Sequence, residues 1–148
     1  MSTNIHNISP SKVIKGEKAW EKSKHIISKI SKRPLIIGRS ESTKNIRNLF
    51  KEDLLNIDIQ AFSCDLNYDC CESDIQKIYK FSKKYDCDSI IAAGGGKVLD
   101  AGKIIADLLE IKCITVPLSA STCAGWTALS NIYTTEGKFI KDVSLKRC

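Results

Sequence analysis

Apolar and polar positions along the chain alternate in a way that predicts strands and helices in turn. Short apolar runs bounded by glycine, proline or charged residues are typical of buried parallel strands, and apolar residues three or four positions apart indicate helices. The predicted strands are Lys12–Ile14, Pro34–Ile37, Ile57–Phe62, Ser89–Ala93 and Cys113–Val116. The predicted helices are Glu17–Ser31, Ser42–Phe50, a segment opened by a capping box of Ser73 and Gln76, and a segment ending at Leu109. This order favours a parallel sheet with helices on both sides.

Beyond Pro117 the pattern changes to that of a hairpin. Leu129–Tyr133 alternates like a half-buried strand, the Thr-Thr-Glu-Gly sequence ending at Gly137 is typical of a turn, and a partner strand is expected around Phe139–Val143. We therefore predict an α/β fold, a Rossmann-like parallel sheet flanked by helices with a C-terminal hairpin. The helix residues expected to be buried are Trp20, Ile27, Ile30, Ile75, Ile78, Tyr79, Ala101, Ile104, Ile105, Leu108 and Leu109.

Three consecutive glycines, Gly94 to Gly96, stand between a predicted strand and a predicted helix. Without Cβ atoms, their N–H groups can approach an anion at the helix N-terminus, and Lys97 adds a cation. A pyrophosphate site is the interpretation we favour, although the chain lacks both common phosphate-binding fingerprints and triple glycine also occurs in structural turns.

Composition and charge limit the class of protein. With 148 residues, 43% apolar and 27% charged, the chain has room for one domain with a core. No apolar run is long enough to span a membrane, and the N-terminus is not that of a signal peptide. The net charge of +6 arises within residues 1–33, where a solvated helix face is a commoner explanation than nucleic-acid binding.

Seven cysteines show no paired metal-binding spacing, which favours reduced thiols in a cytoplasmic protein over a zinc site. A redox role for adjacent Cys70 and Cys71 is a more distant alternative, because neighbouring cysteines form a strained bridge.

Several linked motifs are similar to those of one enzyme family. The motifs are Gly94-Gly-Gly-Lys-Val-Leu-Asp100, Val116-Pro-Leu-Ser-Ala-Ser-Thr-Cys-Ala124, Ala128-Leu-Ser-Asn-Ile-Tyr-Thr134 and Glu136-Gly137. In order and spacing they resemble the glycerol dehydrogenase branch of the metal-dependent (iron-containing) alcohol dehydrogenase family, from about Ser9 to the last residue. The resemblance covers the N-terminal nucleotide-binding domain, so residues 1–148 are expected to form one NAD(P)-binding domain.

The resemblance implies specific cofactor contacts. It places Gly95, Gly96 and Lys97 at the pyrophosphate and Asp100 at the cofactor, whereas Asp100 could equally be an acid that complements the helix dipole. It also places Ser121, Thr127, Leu129 and Tyr133 at the nicotinamide half and its phosphates. Without it, Leu129 and Tyr133 would be interpreted as half-buried strand residues.

Two residues depart from the family pattern. Arg39 stands where NAD-using relatives have an aspartate for the ribose hydroxyls, which favours NADP over NAD. Cys123 stands where the glycerol-using members have a substrate-contacting aspartate. A neutral thiol is a poorer partner for a polyol, so a less polar alcohol or a hydroxy or keto acid is favoured. A nucleophilic Cys123 is disfavoured, since no histidine is near it in the sequence.

The family also holds a divalent metal, zinc or iron, through an aspartate and two histidines of a helical second domain. This sequence has only His6 and His25, neither at a ligand position, and it ends inside the predicted hairpin. We therefore expect a truncated product, split gene or fragment. One hypothesis is the cofactor-binding half of a dehydrogenase, completed by a second polypeptide or inactive without one. A homo-oligomer is also a possible assembly. The other hypothesis is a non-catalytic nucleotide-binding or interaction module.

Overall fold

A computed structural model describes residues 12–120 and 123–146 of the chain. Four parallel strands form a sheet in the order β2-β1-β3-β4, and two antiparallel strands, β5 and β6, form a separate hairpin. The strands are β1 (Pro34–Ile37), β2 (Phe62–Ser63), β3 (Ser89–Gly94), β4 (Lys112–Pro117), β5 (Leu129–Tyr133) and β6 (Phe139–Ser144). The helices are α1 (Ala19–Ile30), α2 (Lys44–Leu55), α3 (Glu72–Lys84) and α4 (Gly96–Leu109), with a single 3₁₀ turn at Glu41–Thr43 before α2. The predicted α/β class and the hairpin are confirmed.

The two central strands explain the three-layer arrangement. Every residue of β1 and β3 is buried, and nearly all of their side chains are apolar on both faces of the sheet; the exception, Ser89, is hydrogen-bonded to Ser31. Successive side chains point to opposite faces, so Leu35 packs with α3 and α4 while Ile36 packs with α1 and α2. The sheet is therefore covered by two helices on each side.

Helix α4 lies unusually close to β3. A Cβ atom at Gly102 would overlap the Cβ of Ala92, so only glycine permits this approach. The close packing fixes the N-terminus of α4 directly over the end of β3.

The structure corrects several predicted boundaries. Residues Lys12–Ile14 form no strand, since no strand of the described sheet pairs with them. The second strand is only Phe62–Ser63, because α2 continues past Phe50 to bury Leu54 and the chain then turns.

The predicted capping box of α3 is also wrong. The helix begins at Glu72 with Cys71 as its N-cap residue, and no side chain caps it. Instead, the Asp74 carboxylate accepts hydrogen bonds from the N–H groups of Tyr68 and Asp69 in the preceding loop. A buried carboxylate that holds the loop therefore replaces the hydroxyl cap.

The helix residues predicted to be buried are buried or, for Trp20, Tyr79 and Leu109, half-buried, with two exceptions. Ile30 and Leu108 are exposed, because both lie near helix ends where the chain turns away from the sheet. Across the described residues, no helix combines the length and apolarity that a bilayer span requires.

Candidate functional site

The loops that follow β1 and β3 meet at the carboxyl edge of the sheet. From β1 the chain runs outward to β2, and from β3 it runs the opposite way to β4, so the sheet has its topological switch point between β1 and β3. Ligands of open α/β sheets bind at such points. A cavity of about 360 Å³ lies there, lined by Arg39, Ser40, Thr43 and the residues Gly94 to Val98.

Backbone N–H groups of the glycine turn are available to a ligand. Gly95 is the N-cap of α4, and its carbonyl accepts hydrogen bonds from the N–H groups of Val98 and Leu99. The N–H groups of Gly96 and Lys97 have no backbone acceptor within the described parts of the chain. Because a Cβ atom at Gly95 would meet nothing within 4 Å, the approach to these groups is open. Together with the helix dipole, they form an arrangement that is suited to an anion.

Arg47 fixes the loop on the opposite wall of this cavity. Its guanidinium packs against Gly38 so closely that a Cβ atom there would overlap it. It donates to the Thr43 hydroxyl at 2.6 Å and to the Ser40 carbonyl at 3.2 Å, and it pairs with Asp65 at 2.8 Å. The buried arginine thereby positions the segment that carries the half-exposed Arg39.

Lys97 lies between this cavity and a second one. Its Nζ donates to Asp69 Oδ2 at 2.6 Å and lies 4.4 Å from the centre of the Tyr133 ring. The second cavity, of about 310 Å³, shares Gly96 and Lys97 with the first. Its other lining residues are Asp100, Cys123, Ala124, Thr127, Leu129, Asn131 and Tyr133.

Asp100 belongs to a buried ion pair that joins α4 to the hairpin. Its carboxylate pairs with Lys103 at 3.2 Å and accepts the N–H of Asn131 at 3.2 Å. The Lys103 ammonium also donates to the carbonyls of Thr127 (3.0 Å) and Leu129 (2.6 Å). Burial raises the pKa of Asp100, and the neighbouring Lys103 opposes that rise. Asp100 therefore supports the hairpin, and its contact with a cofactor stays a prediction.

Most of the residues that the sequence singled out lie around these two adjoining cavities. Arg39, Gly95, Gly96 and Lys97 line the first, and Lys97 is shared with the second. The second brings together Asp100, Cys123, Thr127, Leu129 and Tyr133. Ser121 lies outside the described residues. Their predicted ligand contacts stay predictions.

Sequence reasoning missed Asp69 and Lys103. Asp69 lies in a polar loop 28 positions before Lys97 and carries no motif. Lys103 did give a signal, since it is the one charge among the apolar residues Ala101 to Ala106 and follows Asp100 by less than one helical turn.

The cysteines within the described residues have no arrangement typical of a metal site. Burial raises the pKa of the Cys64, Cys70 and Cys87 thiols, which makes them poor nucleophiles and metal ligands. Cys70 and Cys71 are both buried and unbridged, whereas Cys123 is exposed beside the second cavity. Among the described residues, no grouping of three or more histidine, cysteine, aspartate or glutamate side chains could hold a metal ion.

Comparison with known proteins gives consistent matches. Residues 10–147 match the family described as iron-containing alcohol dehydrogenase. An uncharacterized oxidoreductase of Synechocystis sp. is 34% identical over 145 residues, which cover 95% of this chain and 36% of that protein. Glycerol dehydrogenase of Escherichia coli O6:H1 is 30% identical over 137 residues, covering 88% of this chain and 36% of that enzyme.

A solved structure agrees with the sequence matches. Glycerol dehydrogenase from Schizosaccharomyces pombe superposes with a TM-score of 0.78 at 26% identity, covering 99% of this chain and 37% of that chain. The present chain thus spans little more than a third of the length of these relatives and corresponds to their N-terminal part. It belongs to the iron-containing alcohol dehydrogenase family.

Proposed function

We propose that this chain is the NAD(P)-binding half of a metal-dependent dehydrogenase that acts on a small alcohol, polyol, or hydroxy or keto acid. One observation carries the proposal: the glycine turn presents N–H groups without a backbone acceptor among the described residues to an open cavity at the switch point of the sheet. An extended dinucleotide suits this site better than a lone phosphate, because a second cavity adjoins the first at Gly96 and Lys97.

Each cavity would take one half of the cofactor. The N–H groups of Gly96 and Lys97 would hold the diphosphate, and the Lys97 ammonium would balance its charge. Arg39 would face the adenosine ribose and its 2′-phosphate. The nicotinamide, which supplies the hydride chemistry when bound, would lie in the second cavity against Leu129 and Tyr133.

The alcohol would enter beside Cys123 in the second cavity. The exposed thiol offers no charged acceptor to a polyol, which favours a less polar alcohol or a hydroxy or keto acid. The family's divalent metal does not fit the described residues, where the single histidine, His25, is exposed on α1 far along the chain from both cavities. We therefore propose that catalysis requires residues beyond this chain and that the chain alone binds cofactor without turnover.

Titration of the purified chain with NADPH, NADH and ADP tests the proposal. Trp126 is exposed in the loop between β4 and β5, and its backbone N–H donates to the carbonyl of Cys123, which lines the second cavity. Because of this proximity, its fluorescence is expected to report on ligands in the second cavity. We expect saturable changes with NADPH and NADH, and calorimetric binding of ADP, which reaches only the first cavity. Failure of all three to bind would favour a non-catalytic interaction module instead.

Replacing Arg39 with alanine is expected to remove a preference for NADPH. Arg39 lines the first cavity with its guanidinium half exposed, where it can bind a 2′-phosphate. Loss of one charge-assisted contact should weaken NADPH binding about tenfold and leave NADH binding nearly unchanged. Lys44→Ala is the matched control, because Lys44 is a nearby exposed cation paired with Glu41 and does not line the cavity. An unchanged ratio of NADPH to NADH affinity in Arg39→Ala would contradict the assignment.

A further inference from the structure

A buried carboxylate lies beneath the two cations of the first cavity. Asp69 is 2% exposed and belongs to the loop between β2 and α3. Its Oδ1 accepts the N–H of Cys70 at 2.7 Å, and its Oδ2 accepts from Lys97 Nζ at 2.6 Å. The same Oδ2 lies 3.7 Å from a terminal nitrogen of Arg39.

The side chains of Asp69, Lys97 and Arg39 differ in their exposure to solvent. The carboxylate side chain of Asp69 is 3% exposed, while those of Lys97 and Arg39 are 38% and 44% exposed. Both cations line the first cavity, and Asp69 does not. The cations therefore face the ligand space, and the carboxylate holds them from the side away from it.

The hairpin converges on the same point. The N–H of Tyr133 donates to the Cys70 carbonyl at 2.9 Å, which ties β5 to the loop of Asp69. The hairpin turn at Gly137 passes so close that a Cβ atom there would lie 3.4 Å from Asp69 Oδ2 and 3.5 Å from Lys97 Nζ. The loop of Asp69, the start of α4 and the hairpin therefore meet at the Asp69–Lys97 pair.

The negative charge of Asp69 could also repel a bound anion. This repulsion has to be compared with the benefit of holding Lys97 in position. If Lys97 moved to a phosphate, the buried carboxylate would keep only the Cys70 N–H and a distant Arg39, and an unpaired buried charge is strongly unfavourable. An ammonium has three N–H donors, so Lys97 can stay on Asp69 and still donate to a ligand. Holding a flexible lysine in place before binding also reduces the entropy lost when the ligand arrives. The benefit of holding Lys97 in position therefore outweighs the repulsion between Asp69 and the bound anion.

We propose that Asp69 is a positioning residue that holds Lys97 in the geometry that binds the cofactor diphosphate. The inference rests on the proposed nucleotide binding. It assigns to Asp69 a role that acts through Lys97, and no contact with the ligand is required of it.

A double-mutant cycle tests the proposal, with ADP and NADPH as ligands and affinity measured by calorimetry. Asp69→Asn keeps the shape of the side chain but removes its charge. The substitution should weaken ADP binding about tenfold, the effect of losing one charged hydrogen bond. In the Lys97→Met background the same change should alter affinity less than about twofold, because the residue through which Asp69 acts is gone. Asp74→Asn is the matched control, since Asp74 is a buried carboxylate that holds the same loop and forms no salt bridge with the described cations. Any loss of ADP affinity that Asp74→Asn causes should persist in the Lys97→Met background.

The outcomes separate this inference from the proposed function. If the unmodified chain binds neither ADP nor NADPH, the proposed function fails. If it binds them and Asp69→Asn binds equally well or more tightly, the positioning role is overturned and the carboxylate competes with the ligand for Lys97. A loss that persists in the Lys97→Met background overturns it as well. Should Asp69→Asn not fold, Asp69→Glu, which keeps the charge but shifts it by one methylene, enters the same cycle with the same criteria.

Discussion

Replacing Gly95 with valine is expected to abolish nucleotide binding while the fold stays intact. The backbone of Gly95, with φ −83° and ψ −177°, suits any L-residue, and an added Cβ atom would meet nothing within 4 Å. The branched side chain would instead occupy the space in front of the N–H groups of Gly96 and Lys97. Loss of two hydrogen bonds to a charged ligand should lower the affinity for ADP at least about a hundredfold. Calorimetric titration measures the affinity, and thermal unfolding followed by circular dichroism measures the stability.

Two other glycine substitutions serve as controls for Gly95→Val. Gly95→Ala projects less far into the cavity and should weaken binding by a smaller factor. Gly94→Ala places a Cβ atom 2.9 Å from the Cβ of Val98, so it should lower the melting temperature through crowding within the protein. If Gly95→Val binds ADP as tightly as the unmodified chain does, the diphosphate does not lie at this turn.

Replacing Lys103 with methionine is expected to destabilise the chain by about 3–5 kcal/mol at neutral pH. The change leaves the Asp100 carboxylate buried without its cation and removes the donor to the carbonyls of Thr127 and Leu129. Urea unfolding followed by circular dichroism measures the loss, and Trp126 fluorescence reports whether the loop before β5 loosens first.

The pH dependence of the Lys103→Met variant gives a second test. Burial already raises the pKa of Asp100, and without Lys103 nothing on α4 opposes that rise. A raised pKa in the folded state means that the folded chain binds the proton more tightly than the unfolded chain does. The loss of stability relative to the unmodified chain should therefore be smallest at low pH and should grow as the pH rises through the folded pKa of Asp100. The double variant Asp100→Asn with Lys103→Met should recover much of the loss, and equal stability of Lys103→Met and the unmodified chain would contradict the structural role of the pair.

The sequence predicted the centre of the fold better than its margins. Pro34–Ile37 and Ile90–Ala93 are short runs of apolar residues, which are typical of strands buried on both faces. The predicted Ile57–Phe62 strand shrank to two residues because burial of Leu54 extends α2. Such competition between adjacent elements is decided by tertiary packing, which a local pattern does not contain.

Some parts of the candidate site could likewise be predicted from the sequence, whereas others could not. The glycine turn could be recognised because strand, glycines and helix are contiguous, and the hairpin residues were identified by resemblance alone. Asp69 could not be found, because an aspartate in a polar loop becomes special only when folding buries it against a lysine 28 positions away. Arg47 escaped notice for a similar reason, since its contact with the backbone at Gly38 exists only in the folded chain.

Helix α4 has a consequence for the geometry of any dinucleotide that spans both cavities. Its first residues form the anion site, and Lys103, two turns further on, holds the start of β5 through two carbonyls. The offset between the diphosphate end and the nicotinamide end is therefore set by the pitch of one rigid helix, about 10 Å of axial rise between Gly96 and Lys103. A single-residue insertion between Gly96 and Lys103 would rotate Lys103 about the helix axis by about 100°. The start of α4 would then no longer be held in register with β5, although every side chain that lines the two cavities would still be present.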